Sequence, residues 1–126
     1  MSLEMYQETI LDHYKYPRNF GVIDKASIKS KESNISCGDE VEMFLNINKN
    51  KINEVKFKGK GCAISLASTS ILTESIKGKN INEIKKMDSD DLFKLINVQI
   101  SPSRIRCALL GFSALKLGVN NYLNKK

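Results

Sequence analysis

The chain has 126 residues, of which 41% are hydrophobic and 27% charged. This length allows one hydrophobic core and the composition is that of an ordinary globular protein, so we expect residues 1–126 to form a single domain. The net charge of +6 raises nucleic acid as a partner, but the lysines are spread along the chain without an arginine-rich helix or a basic strand with interleaved aromatics. We therefore predict a basic, solvated surface and no nucleic-acid partner.

Apolar stretches are short throughout the sequence. None approaches the roughly 20 residues of a membrane span, and the first residues lack the apolar core of a signal peptide. We therefore expect a cytoplasmic protein that makes no use of a membrane.

The first predicted element is an amphipathic helix over residues 3–15, in which Tyr6, Ile10 and Tyr14 recur every four residues. Pro17 ends it, because the residue before a proline is disfavoured in the helical conformation. His13, the single histidine of the chain, lies near the end of this helix. We interpret it as a structural hydrogen-bonding residue rather than a metal ligand.

A sheet is predicted for the next part of the chain. The pattern is weak over residues 22–36, where one strand is possible, whereas residues 41–47 and 52–58 alternate between apolar and polar side chains and flank a polar turn. The segment Cys37-Gly38-Asp39 precedes the first alternating strand. It carries a soft sulfur and a hard oxygen two positions apart.

A helix is predicted to follow the glycine-rich turn at Gly59-Lys60-Gly61. It begins near Cys62, extends from about residue 64 to 77, and ends at Gly78, a residue suited to a left-handed cap. Unpaired N–H groups and the helix dipole at such a position stabilise a thiolate, which is both a nucleophile and a metal ligand. The alternative interpretation is a small buried residue that caps the helix.

Two short helices are predicted next. Asn80 and Glu83 form the pattern of a capping box for a helix through Lys86, and acidic residues fill the first turn of a helix from Ser89 to Leu95. We interpret these acids as partners of the helix dipole and assign them no catalytic role.

The last predicted helix opens at Ser101-Pro102-Ser103, where proline is tolerated in the first turn. Its predicted apolar face consists of Ile105, Ala108, Leu109, Phe112, Lys116, Val119 and Leu123. With Ile105 as its centre, Cys107 lies about 160° away. Cys107 is therefore predicted to face the other cysteines rather than the core, beside the cationic Arg104 and Arg106.

The three cysteines are separated by 25 and 45 positions. An odd number without a CxxC pair argues against a disulfide framework, and zinc fingers take their ligands in closer pairs. If Cys37, Cys62 and Cys107 act together, the fold must assemble them. With Asp39 they would form a four-coordinate site suited to zinc or to iron–sulfur chemistry, in which the single oxygen is the ligand most easily displaced.

Four motifs in order resemble the IscU/NifU/SufU family of iron–sulfur cluster assembly proteins, over nearly the whole chain. They are Asp12-His13-Tyr14 with Pro17-Arg18-Asn19-Phe20-Gly21, Cys37-Gly38-Asp39, Gly61-Cys62-Ala63-Ile64-Ser65, and Arg104-Ile105-Arg106-Cys107-Ala108.

The resemblance implies an α+β fold, with a small antiparallel three-stranded sheet and about five helices packed on it. It also implies a scaffold that receives sulfur from a cysteine desulfurase, builds a transient [2Fe–2S] cluster and transfers it to apo iron–sulfur acceptor proteins. By position, Cys37, Cys62 and Cys107 would be the ligands, and Asp39 the labile fourth group, whose loss should make the cluster harder to transfer. The N-terminal helix and its Pro17-Arg18-Asn19 turn would lie toward the desulfurase.

The sequence departs from the IscU branch in two places. Arg106 stands where that branch has a histidine that can also ligate, and arginine cannot coordinate because it stays protonated. The Leu-Pro-Pro-Val-Lys chaperone-docking motif is also absent around residues 100–104, so we expect no dedicated Hsc-type chaperone.

Two functions follow from these mixed signatures, and a structural zinc module or a basic binding domain is the remaining alternative. A basic residue before the last cysteine resembles the SufU branch, a group of zinc-dependent sulfurtransferases, whereas the interval of 45 between Cys62 and Cys107 resembles the shorter IscU form. On the scaffold hypothesis the chain is a non-enzymatic carrier, and Cys107 is the expected persulfide acceptor. On the SufU hypothesis zinc occupies the same site, the chain is an enzyme in the transferase sense, and Cys37 is the expected acceptor.

Overall fold

The structure is a computed structural model that describes residues 3–34, 38–97 and 100–125, with the backbone alone at residues 3–7. Its helices and strands follow the order α1 (Leu3–Lys15), β1 (Ile28–Asn34), β2 (Asp39–Asn48), β3 (Lys51–Lys60), α2 (Ala63–Ile76), α3 (Ile81–Lys86), α4 (Ser89–Ile96) and α5 (Ile105–Asn124), with a 3₁₀ turn at Pro102–Arg104 before α5. In the described ranges the fold is thus α+β, with five α-helices and three strands, as the sequence predicted.

The three strands form one antiparallel sheet in the order β1-β2-β3. Lys49 and Asn50 turn the chain between β2 and β3 with positive φ angles of 53° and 65°, which match the twist of a tight hairpin. Asn34 pairs with Asp39, and Glu40 pairs with Lys60. The end of β1, the start of β2 and the end of β3 therefore meet at one end of the sheet, where the chain enters α2.

The hydrophobic core lies between one face of the sheet and the helices. Val41, Met43, Leu45 and Phe57 are each fully buried on the strands, and α2 and α5 pack against the sheet and each other. Ser30 of β1 donates a hydrogen bond of 2.5 Å to the carbonyl of Ala114 in α5. This contact holds the edge strand to the last helix.

The buried stripe of α5 differs from the predicted one. Ile105 is 37% exposed, whereas Cys107 is 5% exposed, and the buried stripe continues through Gly111, Ala114 and Gly118. The prediction that Cys107 points away from the core was therefore wrong. Counting only large apolar residues missed the small ones, which let α5 approach α2 and β1 closely.

The capping of the two short helices also differs from the prediction. The side chain of Asn80 accepts a hydrogen bond from the N–H of Asn82 at 2.8 Å and so caps α3. Among the described residues, no hydrogen bond from the Asn80 N–H to the side chain of Glu83 completes a capping box. The reciprocal box is at α4, where Asp88 and Asp91 each accept from the other's N–H at 3.0 Å. Asp88 and Asp91 therefore cap the start of α4 as well as interacting with its dipole.

Lys116 lies on the predicted apolar face of α5 for a specific reason. Its Nζ donates to the carbonyls of Ile84, Lys85 and Met87 at 3.3, 2.6 and 2.8 Å. These carbonyls belong to the C-terminal end of α3, where backbone acceptors lack partners within the helix. Lys116 thus fixes α3 to α5.

Replacement of Lys116 by methionine should destabilise the fold. Met keeps the apolar stem but leaves three carbonyls without their charged donor, so we expect the free energy of unfolding to fall by about 1–3 kcal/mol. Urea denaturation measures this difference. Lys86→Met, at an exposed position of α3, is the matched control and should stay within about 0.5 kcal/mol of the unmodified protein.

His13 holds the end of α1 against α2, as the structural interpretation of this residue predicted. Its Nδ1 lies 2.8 Å from Ser70 Oγ, and the same oxygen accepts the N–H of Arg18 at 2.8 Å. The hydrogen bond between Nδ1 and this hydroxyl can run in either direction, since the roles depend on the imidazole tautomer. Burial, and after it the charge of Arg18, lower the pKa of His13 below its ordinary value of 6.5.

This lowered pKa predicts a loss of stability in mild acid. Since the folded state binds the imidazole proton more weakly than the unfolded state, the contribution of His13 is complete above the unfolded value of 6.5 and is lost as the pH falls below it. We expect the urea midpoint to fall between about pH 7 and pH 5.5. In His13→Asn, whose Oδ1 can accept from Ser70 without titrating, most of that fall should disappear; an equal fall would contradict the assignment.

Within the described ranges, no helix is both long and apolar enough to cross a membrane.

Candidate metal centre

Three residues that are far apart in sequence meet at the end of the sheet where α2 begins. Asp39 is the first residue of β2, Cys62 is the N-cap of α2, and Cys107 lies in the first turn of α5. One carboxylate oxygen and the two sulfurs all lie within 4.8 Å of one another. The structure therefore brings together three of the four predicted ligands, while the fourth, Cys37, lies outside the described residues.

The carboxylate of Asp39 is buried and held from two sides. Asp39 is 2% exposed; its Oδ1 accepts the N–H of Cys62 at 3.1 Å, and its Oδ2 accepts the hydroxyl proton of Ser65 at 2.5 Å. The negative charge also lies at the N-terminus of α2, where the helix dipole favours it. These two hydrogen bonds and the helix dipole stabilise the carboxylate in this position.

Gly61 provides the space for this carboxylate. A Cβ built on Gly61 would fall on the Asp39 side chain, 2.6 Å from its Cγ, and the backbone φ of +146° is one that residues with side chains rarely adopt. The turn before α2 can therefore hold the carboxylate against the N–H of Cys62 only if residue 61 is glycine.

Cys62 and Cys107 differ in their exposure. Cys62 is half-buried, and its Sγ lies 3.6 Å from both Asp39 Oδ2 and Ser65 Oγ. Cys107 is buried, although Arg104 and Arg106 beside it are exposed. Cys107 thus meets Cys62 from the core side of α5, and Cys62 gives solvent more direct access to the described part of the site.

Arg106 extends into an open cleft next to the site. The cleft has a volume of about 420 Å³ and lies between the end of β1 and α5, with Glu32, Asn34 and Leu110 among its other lining residues. Arg106 carries a permanent positive charge and offers no lone pair to a metal. Arg106 therefore lines this cleft and is not a ligand.

The donor set suits a thiophilic metal. Ligand atoms around one tetrahedral zinc are about 3.5–4 Å apart, so atoms that lie within 4.8 Å need only a small contraction to bind it. The two sulfurs are also ligands of the kind that iron–sulfur clusters take, with the carboxylate as a harder third donor. Asp39, Cys62 and Cys107 therefore fit either group.

Ser65 and Gly61 contact Asp39 in this site, and sequence reasoning, which placed Gly61 only in a turn, predicted neither contact. A signal for Ser65 was present, because a residue three positions after an N-cap lies on the same side of the first helical turn. The requirement for glycine at position 61 could not be read in the same way, since it depends on Asp39, 22 positions earlier.

The fold agrees with comparisons to known proteins. The family model for the NifU-like N terminal domain matches residues 5–126. The chain therefore belongs to the NifU-like N-terminal domain family, as its motifs indicated.

Relatives in this family carry two kinds of name. The chain is 36% identical to the zinc-dependent sulfurtransferase SufU of Bacillus subtilis (strain 168), with 91% of this chain and 89% of the relative covered. It is 35% identical to the iron–sulfur cluster assembly scaffold protein IscU of Aquifex aeolicus (strain VF5), with 100% of this chain and 80% of the relative covered.

Solved structures resemble the fold over almost its whole length. A crystal structure described as a candidate scaffold protein for iron–sulfur cluster assembly in the SUF system of Fervidobacterium islandicum AW-1 has a TM-score of 0.77 at 32% identity and covers 94% of this chain and 99% of its own. The N-terminal part of a NifU-like protein from Brucella abortus has a TM-score of 0.81 at 17% identity, covers 98% and 97%, and supports the fold alone.

Proposed function

We propose that this protein is a scaffold on which a [2Fe–2S] cluster is assembled and from which it is passed to apo acceptor proteins. The observation that carries the proposal is the meeting of Asp39, Cys62 and Cys107, with ligand atoms within 4.8 Å of one another. Cys37, two positions before Asp39, is the proposed fourth ligand. The cluster is cargo here, and one hard oxygen among soft sulfurs is suited to its release.

Sulfur delivery is proposed to come from a cysteine desulfurase. A scaffold thiolate attacks the outer sulfur of the desulfurase persulfide, the sulfur–sulfur bond breaks, and the desulfurase thiolate leaves. Reduction of that sulfur to sulfide draws electrons from ferrous iron and from an external reductant. Cys107 and Cys37 remain the proposed acceptors, and the buried sulfur of Cys107 must become accessible before it can attack.

The N-terminal region is the proposed docking site for the desulfurase. The turn after α1 exposes Tyr16 and Phe20, at 70% and 48% of their surface, and Arg18 is fixed there by an ion pair of 2.6 Å with Asp12. An exposed aromatic pair beside a positioned cation is typical of a protein contact. We also propose that no Hsc-type chaperone takes part and that the protein acts in the cytoplasm.

A zinc-dependent sulfur acceptor is the second candidate function. It is favoured by Arg106, because this residue stands where the IscU branch has a histidine that could ligate. It is also favoured by the 36% identity to a relative named as a zinc-dependent sulfurtransferase. On this proposal zinc occupies the same four ligands until the desulfurase engages, and Cys37 accepts the sulfur.

One anaerobic experiment separates the two. Metal-free protein is mixed with a cysteine desulfurase, cysteine, ferrous iron and a thiol reductant, and visible absorption is followed before and after an apo-ferredoxin is added. A charge-transfer spectrum that builds and then appears on the ferredoxin is the result expected for a scaffold. If no cluster forms and added zinc stimulates the desulfurase instead, the scaffold proposal is wrong.

A further inference from the structure

We propose that Ser65 is a positioning residue of this centre, which acts on the bound metal through Asp39. The inference rests on the proposed function in that Asp39 is taken as a ligand. Ser65 would touch neither the metal nor the cluster. Its hydroxyl would set the position of the one oxygen ligand.

The geometry singles out this hydroxyl. Ser65 is 0% exposed, and its Oγ lies 2.5 Å from Asp39 Oδ2 and 3.6 Å from Cys62 Sγ. A serine has one hydroxyl proton, and the shorter distance assigns it to the carboxylate. With the N–H of Cys62 on Oδ1, the two donors fix the rotation of the carboxylate about its Cβ–Cγ bond.

The contribution of Ser65 should persist when a metal binds. Metal binding removes the proton from Cys62, so the thiol can no longer donate to Asp39. Ser65 keeps its proton and still donates to Oδ2, which holds the carboxylate in place against repulsion by the like-charged thiolate. Ligating carboxylates usually depend on such a second hydrogen-bond partner, whose loss costs about tenfold to a hundredfold in metal affinity.

Ser68 provides a matched control on the same helix. It is 1% exposed, and its Oγ finds no hydrogen-bond partner in the part of the chain that the structure describes. Ser68→Ala therefore removes an equally buried serine hydroxyl without touching Asp39.

The test is a double-mutant cycle on zinc affinity, measured by chelator competition with the reduced full chain. We expect Ser65→Ala to weaken zinc binding by about tenfold to a hundredfold and Ser68→Ala to leave it unchanged. In the background of Asp39→Ala, the further effect of Ser65→Ala should fall below about threefold, because the residue through which Ser65 acts is gone. Ser65→Thr, which keeps the hydroxyl, should restore most of the affinity. With cobalt in place of zinc, Ser65→Ala should keep the sulfur-to-metal charge-transfer band.

Each other outcome overturns a different statement. Unchanged affinity in Ser65→Ala, with a loss in Asp39→Ala, overturns the role of Ser65 and leaves Asp39 as a ligand. An equal loss in both backgrounds means that Ser65 acts through Cys62 or through the packing of α2, which also overturns the proposal. Unchanged affinity in Asp39→Ala, with loss in Cys62→Ala, removes Asp39 from the ligand set. If Cys62→Ala also binds zinc normally, the metal centre itself is misassigned.

Discussion

Gly61→Ala should damage the candidate metal centre far more than the addition of one methyl group suggests. The new Cβ would occupy the position of the Asp39 carboxylate, and alanine would be forced into a φ of +146°. We expect the free energy of unfolding to fall by about 1–3 kcal/mol from strain and overpacking. We also expect zinc affinity to fall by about a hundredfold or more, since the carboxylate must leave its two hydrogen-bond donors.

Gly78→Ala is the matched control for this prediction. Gly78 also has a positive φ, of 80°, but a Cβ there would meet nothing within 4 Å. We expect it to cost about 1–2 kcal/mol of stability from the left-handed backbone alone and to leave zinc affinity unchanged. Urea denaturation and chelator competition measure both quantities. Gly61→Ala binding zinc as tightly as Gly78→Ala would show that Asp39 needs no such space.

The elements of this fold could be predicted because their signals are local. Alternating residues in β2 and β3, the turn between them and Gly78 after α2 each act over a few positions. The buried face of α5 was harder to predict, because glycine and alanine residues lie at its centre. Those residues are buried because α2 and the sheet approach closely, and a count of large apolar side chains does not reveal this.

The candidate site was predicted from motifs and assembled by the fold. Asp39, Cys62 and Cys107 are brought together by the pairing of β2 with β3, by the turn at Gly61 and by the packing of α5. No local pattern encodes that meeting; the family resemblance provided it. The burial of Cys107, the role of Gly61 and the hydrogen bond from Ser65 depend on contacts between distant segments, so they became visible only in the structure.

On the proposed scaffold function, Asp39→Cys should make the centre retain its cluster rather than release it. An all-thiolate set matches iron–sulfur clusters better than a set with one hard oxygen. Position 39 also lies against Ser65, whose hydroxyl can donate to a sulfur there as it does to the carboxylate. We therefore expect assembly with the desulfurase and ferrous iron to proceed, while transfer to an apo-ferredoxin slows by about tenfold or more.

The controls isolate the ligand change from the added thiol. Asp90→Cys places a cysteine at an exposed position of α4 and should transfer its cluster at the unmodified rate. Asp39→Asn keeps an oxygen and the shape of the side chain but removes the charged ligand. Since the resemblance implies that loss of this carboxylate makes the cluster harder to transfer, its transfer should also be slower than that of the unmodified protein. Stopped-flow absorption of the ferredoxin gives all three transfer rates. Transfer from Asp39→Cys at the unmodified rate would mean that the oxygen ligand does not govern release, because replacing it by sulfur would then leave the slowest step untouched.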